Sequence, residues 1–159
     1  YKYRLYNYQD YLPVDHLLLS PFGLFVLEAR PHYGQIINQG ERWRRRGGIW
    51  SIVQIIAEGG LGNPTREAQK AAEGVRRVLR NLLTEEEAAQ VGVYPVIVFT
   101  NPLARLEVSE PAAPVVTPKE LKAEVRAPAD RTRLSNPLYQ KLVKVLSPEA
   151  APAERAAKR

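Results

Sequence analysis

Three residues near the N-terminus have the types and spacing for metal-assisted phosphate chemistry: Asp15, Glu28 and Arg30. Val14 to Leu19 and Leu24 to Leu27 are short apolar runs separated by Ser20-Pro21-Phe22-Gly23. Pro at the second position and Gly at the fourth of that tetrapeptide are a turn signal, so a hairpin is expected. If Ser20 pairs with Gly23, then Leu19 faces Leu24, Leu17 faces Val26, and Asp15 faces Glu28. Side chains directly opposed on antiparallel strands are about 4.5 to 5.5 Å apart at Cβ, where like charges are destabilising. A divalent cation relieves that repulsion, because Mg2+ is typically held by one or two carboxylates with water and substrate phosphate completing its shell. Arg30, two residues beyond Glu28, falls on the same face.

Local sequence leaves other arrangements open. A type I turn with Gly23 in the left-handed conformation and a bulge shifts the pairing by one and sends Asp15 and Glu28 to opposite faces. In a plainer reading both acids simply end their strands at a solvated sheet margin.

The elements that must position these residues follow from periodicity and punctuation. Tyr1 to Tyr8, with aromatics at 1, 3, 6 and 8, reads as a strand near a sheet edge. Gly23-Leu24-Phe25-Val26-Leu27 does not alternate, so it is expected to be a central strand covered on both faces. A strand is expected at Gln35 to Asn38, followed by the basic cluster Arg42-Trp43-Arg44-Arg45-Arg46 and an apolar strand or short helix around Ile49 to Ile56. Asn63-Pro64 opens a helix, with Asn as N-cap and Pro in its first turn, and Ala68, Ala71, Ala72, Val75, Val78, Leu79 and Leu82 keep helical spacing to Leu83. Thr84-Glu85-Glu86-Glu87 is a capping box for a second helix, and Tyr94 to Thr100 is another buried strand. Further strands are expected near Leu106 to Val108 and Pro114 to Val116, a helix from Thr117-Pro118-Lys119-Glu120 to about Val125, and a last helix within Leu134 to Leu146.

Composition bounds the rest. A length of 159 residues with 45% hydrophobic content allows one domain with a core. With no cysteine, disulfides, thiolate metal sites and thiol nucleophiles are excluded. No apolar run approaches the roughly 18 residues needed to cross a bilayer, and no signal pattern opens the chain, so a cytoplasmic domain without membrane contact is expected. The lack of Met at position 1 and the start within an aromatic segment lead us to expect a piece of a longer chain with further domains. The net charge of +6 favours polyanionic partners. For Arg42, Arg44, Arg45 and Arg46 with Trp43, the functional reading is phosphate contact with aromatic stacking on bases, and the ordinary one is a solvated turn with Trp43 packed inward. His16 alternates away from Asp15, and His32 follows Pro31 in a loop, so neither is expected to be catalytic.

Taken with their order and spacing, these stretches resemble the nuclease-related domain, a branch of the restriction-endonuclease-like superfamily. The likeness rests on Val14 to Arg30, Gly34, a Trp at Trp43 or Trp50, Asn63-Pro64 with Gln69-Lys70-Ala71, and Val96-Ile97-Val98-Phe99-Thr100-Asn101, and covers about residues 1 to 125. It implies an α/β fold, with a mixed central sheet flanked by helices, an antiparallel hairpin carrying the site, and a parallel strand reached through the long helix. It also implies metal-dependent hydrolysis of DNA with Mg2+ or Mn2+, with Asp15 and Glu28 as metal ligands, Arg30 in the place of a Lys that positions or activates water, and Gln69 supporting the site. Arg at position 30 departs from the pattern, since a guanidinium is no base at neutral pH but can hold a phosphate or orient water. A silent DNA-binding or regulatory module of the same fold is the alternative. The expected organisation is a nuclease-related domain over 1–127 without the family's usual N-terminal helix, a helical extension over 128–146 and a disordered basic tail over 147–159.

Overall fold

The computed structural model describes residues 4–6, 14–46, 60–126 and 131–146, the first of these as backbone alone. The expected segment at Ile49 to Ile56, Trp50 and the tail from Ser147 lie outside the described residues.

Two mixed sheets form the framework. In the larger, β1 (Arg4–Tyr6), β2 (His16–Ser20), β3 (Gly23–Arg30), β6 (Val93–Phe99) and β8 (Val115–Val116) are ordered β1-β2-β3-β6-β8. The first three strands run antiparallel, whereas β3, β6 and β8 are parallel. The chain reaches β6 from β3 by way of the second sheet and the long helix α1 (Pro64–Leu82), which satisfies the need of a parallel pair for a long crossover. The second sheet is a separate layer beside the expected central one. It has the order β5-β4-β7, made from β4 (Gly34–Gln39), β5 (Arg42–Arg46) and β7 (Ala104–Ser109).

Helices cover both faces of the larger sheet because β3 is apolar on both. Leu24 and Val26 pack with Leu17 and Leu19 of β2 against Ala71, Ala72, Val75 and Leu79 of α1. Phe25 and Leu27 pack with Val96 and Val98 against Val125 of α3 (Pro118–Arg126). A third cluster, Ile36, Ala68, Ile97, Phe99 and Ala113, joins the two sheets beneath the start of α1.

Local chemistry fixes the ends of these elements. The Asn63 side chain accepts the Arg66 N–H at 3.0 Å and caps α1. Thr84 and Glu87 form the expected capping box of α2 (Glu85–Gln90). At the hairpin, the buried Ser20 hydroxyl accepts the Phe22 N–H at 3.0 Å and donates to the Gly23 carbonyl at 3.1 Å. Gly23 has φ of +131°, and a Cβ there would stand 2.4 Å from the Gly92 carbonyl oxygen, so glycine is required for β3 to approach that backbone.

The last helix, α4 (Asn136–Val145), is part of the first core rather than an appendage. Leu138, Tyr139, Leu142 and Leu146 are buried against the β2, β3 and α1 residues named above. Lys141 ties it to Glu87 of α2 at 2.6 Å, and the Leu134 N–H donates to the Pro21 carbonyl at 2.9 Å.

Candidate metal and phosphate site

The hairpin register decides where the acids go. Ser20 pairs with Gly23, Leu19 with Leu24, Leu17 with Val26 and His16 with Leu27, which is the unshifted pairing. Asp15 immediately precedes β2, and its Oδ2 accepts the Ala29 N–H at 2.7 Å, so its carboxylate lies across from the Glu28-Ala29 segment. That bond orients the Asp15 carboxylate at the end of the ladder.

Glu28 and Arg30 continue the Leu24 and Val26 face of β3, which is the face that α1 covers. Their parallel partners on β6 are Ile97 and Phe99, both fully buried. An apolar neighbourhood therefore surrounds both charges, and each side chain is only 13% exposed. Burial is the largest influence on the Glu28 carboxyl, which is pushed up from 4.5 to about 7. Arg30 opposes that shift, while Asp15 and Glu67 add to it.

Glu67 is absent from the residues that the sequence pattern marks. Arg30 Nη2 lies 3.0 Å from Glu28 Oε1 and also pairs with Glu67 in the first turn of α1. The Asn63 cap sets this geometry. Glu67 Oε1 also accepts the Asn63 N–H at 3.3 Å, which holds the acid at the helix start. An acid in the first helical turn is a legible signal, but its distance from Arg30 in the chain hides the pairing.

Gln69 is half-buried beside Ala68, and no hydrogen bond joins its side chain to Asp15, Glu28 or Arg30. The helix residue brought to the ion pair is thus Glu67. His32 is buried in the β3–β4 loop with its Nε2 2.9 Å from the Gly60 carbonyl oxygen, and His16 alternates with Leu17 on β2.

These residues form an all-oxygen donor set suited to a hard divalent ion. Glu28 and Glu67 share the Arg30 guanidinium, and Asp15 adds a third negative charge near Glu28, an excess that a cation would relieve. Among the described residues no group of three or more His, Asp or Glu is arranged to hold a metal. Arg30 Nε, buried and without a hydrogen-bond partner, remains as a donor.

The basic cluster is a strand, not a turn. Along β5, Arg42, Arg44 and Arg46 are exposed, whereas Trp43 and Arg45 alternate to the other face. The Trp43 ring lies 5.8 Å from Phe99, centroid to centroid, and its Nε1 donates to Thr65 Oγ1 at 2.8 Å. This ring packs inward against the core, as in the ordinary of the two readings, and is not set out to stack on bases. Arg45 lies over the Tyr33 ring at 4.5 Å.

The family model for the nuclease-related domain matches residues 1–100, and the chain belongs to that family. No curated protein and no solved structure matches it. No helix among the described residues is long and apolar enough to cross a membrane.

Proposed function

We propose that this member of the nuclease-related domain family hydrolyses phosphodiester bonds in DNA with the help of Mg2+ or Mn2+ held by Asp15 and Glu28. The observation that supports the reading is that Asp15, held by the Ala29 N–H, lies near enough to raise the Glu28 carboxyl, with Glu28 buried and Arg30 beside it. When bound, the ion supplies a Lewis acid and a water of lowered pKa.

The chain's own groups have separate tasks. Asp15, oriented by the Ala29 N–H, presents a carboxylate in a fixed direction. Glu28 must lose its proton to bind a cation, which its burial opposes and the cation favours. Arg30 cannot act as a base, but its planar fork can orient water or a phosphate oxygen and stabilise charge developing on it. Glu67 keeps the guanidinium in place, whereas Gln69, on the flank of α1, makes no hydrogen bond to these groups.

A second reading, a silent DNA-binding or regulatory module, draws on the same residue. Arg30 is engaged by two acids, and a guanidinium so held offers no proton-transferring group.

Incubation of supercoiled plasmid with Mg2+ or Mn2+ separates the two. We expect weak cleavage by the wild type, faster cleavage by Arg30→Lys and none by Glu28→Ala. If a general base at position 30 is essential, the Arg form is slower by roughly 10² to 10⁴. Absence of cleavage by both wild type and Arg30→Lys, with DNA binding retained, overturns the enzymatic reading in favour of the silent module.

A further inference from the structure

The outer face of the second sheet is the most strongly basic surface defined by strand register. Arg42, Arg44 and Arg46 stand in a row along β5, each exposed. Across β4 the same face carries Gln35, Ile37 and Gln39, and across β7 it carries Arg105, Glu107 and Ser109. Among the described residues none of the four arginines has an acidic partner, whereas Glu107 accepts a hydrogen bond from Gln35. Four exposed guanidiniums without an acidic partner among the described residues, around one engaged carboxylate, give this face a positive potential that favours a polyanion.

We infer that this face, with β5 as its track, holds the sugar–phosphate backbone of a single nucleic-acid strand. The inference rests on the nucleic-acid reading above and adds the surface and the form of the ligand. Successive exposed arginines on a strand are separated by about 6.6 Å, close to two axial steps of ~3.4 Å along one nucleic-acid chain. Among the described residues of this face β5 carries the one continuous row of arginines. The parallel row on β7 has Glu107 at its centre, which would repel the second backbone of a duplex. At the Arg46, Gln35 and Arg105 end, the face opens on a groove of about 580 Å3 bounded by Tyr33, Pro102 and Leu103. Leu103 is 70% exposed there, an apolar perch for an unstacked base that a duplex would not offer. Arg45 is not part of the track, because alternation turns it to the other face, over Tyr33.

Fluorescence anisotropy with a labelled oligo(dT) strand and a duplex of equal length, in EDTA across a salt series, tests this. The single strand is expected to bind more tightly than the duplex. The slope of log affinity against log salt is expected to fall by about 2 in Arg42→Ala/Arg44→Ala/Arg46→Ala, at about 0.7 for each phosphate no longer neutralised. A charge-matched control at other exposed positions, Lys70→Ala/Arg77→Ala/Lys144→Ala, should leave the slope within about 0.5 of the wild type. Leu103→Ser should weaken the single strand and not the duplex. An unchanged slope in the β5 variant, or an equal fall in the control, overturns the track, and tighter duplex binding overturns the single-strand assignment. Circular dichroism of each variant distinguishes weakened binding from unfolding. EDTA prevents hydrolysis, so an inactive metal site leaves this measurement intact, and failure here leaves the plasmid comparison to stand alone.

Discussion

Arg30 Nη2 lies 3.0 Å from Glu28 Oε1, so the cation of the site is held by one of the carboxylates that would bind a metal. A guanidinium engaged in this way lowers the cost of burying Glu28 without cancelling it, since burial still outweighs it and the carboxyl stays at about 7. The balance gives Glu28 two states near neutral pH.

The folded protein favours neutral Glu28, and this sets the sign of a stability change. Below pH 4.5 the acid is neutral in both folded and unfolded chains, and the contribution is fully present. As pH rises through about 7 it is lost, because the folded state must then ionise a group it keeps from water. At about 1.4 kcal/mol per pKa unit, the loss is on the order of 3 kcal/mol. Glu28→Gln, which mimics the neutral form, should be more stable than wild type at pH 8 by about 1 to 3 kcal/mol and nearly equal to it at pH 4. Urea titrations at the two pH values check this, and equal differences at both would refute it.

Metal affinity should follow the opposite limb. A cation needs ionised Glu28, so Mn2+ binding is expected to strengthen as pH rises from 6 to 8 and to release a proton. Isothermal titration calorimetry in buffers of different ionisation enthalpy measures that proton directly. Binding independent of pH over this range would remove Glu28 from the ligand set.

Glu67 is expected to act on Arg30 and, through charge, on Glu28. In Glu67→Gln the Glu28 carboxyl loses one of the charges that raise it, so the rise of activity with pH should begin at lower pH than in wild type. Because Glu67 is 48% exposed, global stability should change by less than about 1 kcal/mol. Gln69→Ala, without hydrogen bonds to the acids, should leave the pH profile in place. A shifted profile in Gln69→Ala and none in Glu67→Gln would reverse these assignments.

Trp43→Phe should cost about 1 to 2 kcal/mol in chemical denaturation, because it leaves the buried Thr65 hydroxyl without its partner. The variant should keep the nucleic-acid affinity of the wild type, since the ring faces Phe99 and not solvent. Anisotropy on the folded variant reads this, and a large drop in affinity would return Trp43 to the binding surface.

Leu142 is fully buried although it lies beyond the residues matched by the family, so Leu142→Ala should destabilise the whole fold by about 2 to 5 kcal/mol. A single cooperative transition moved to lower urea is the expected result. An unaltered midpoint would make α4 a dispensable extension.

The sequence by itself determined the elements whose signals are local. The Asn63 cap and Pro64, the Thr84–Glu87 box, the non-alternating run of β3 and the Ser20-Pro21-Phe22-Gly23 turn each act within a few residues, and each element formed as expected. The turn left two registers open, and the pairing of Ser20 with Gly23 is the unshifted one, which brings Asp15, just before β2, across from the Glu28-Ala29 segment. Only tertiary structure decided the rest. The apolar partners Ile97 and Phe99 arrive through a parallel crossover, so the burial that raises Glu28 depends on residues far along the chain. Glu67 meets Arg30 only after α1 has packed on β3, because ion pairs depend on distance in space, which spacing along the chain does not encode. The arginine cluster divided in the same way: strand alternation put Arg42, Arg44 and Arg46 on one side, and β7, on the far side of β4, supplied Arg105 and Glu107 to that face.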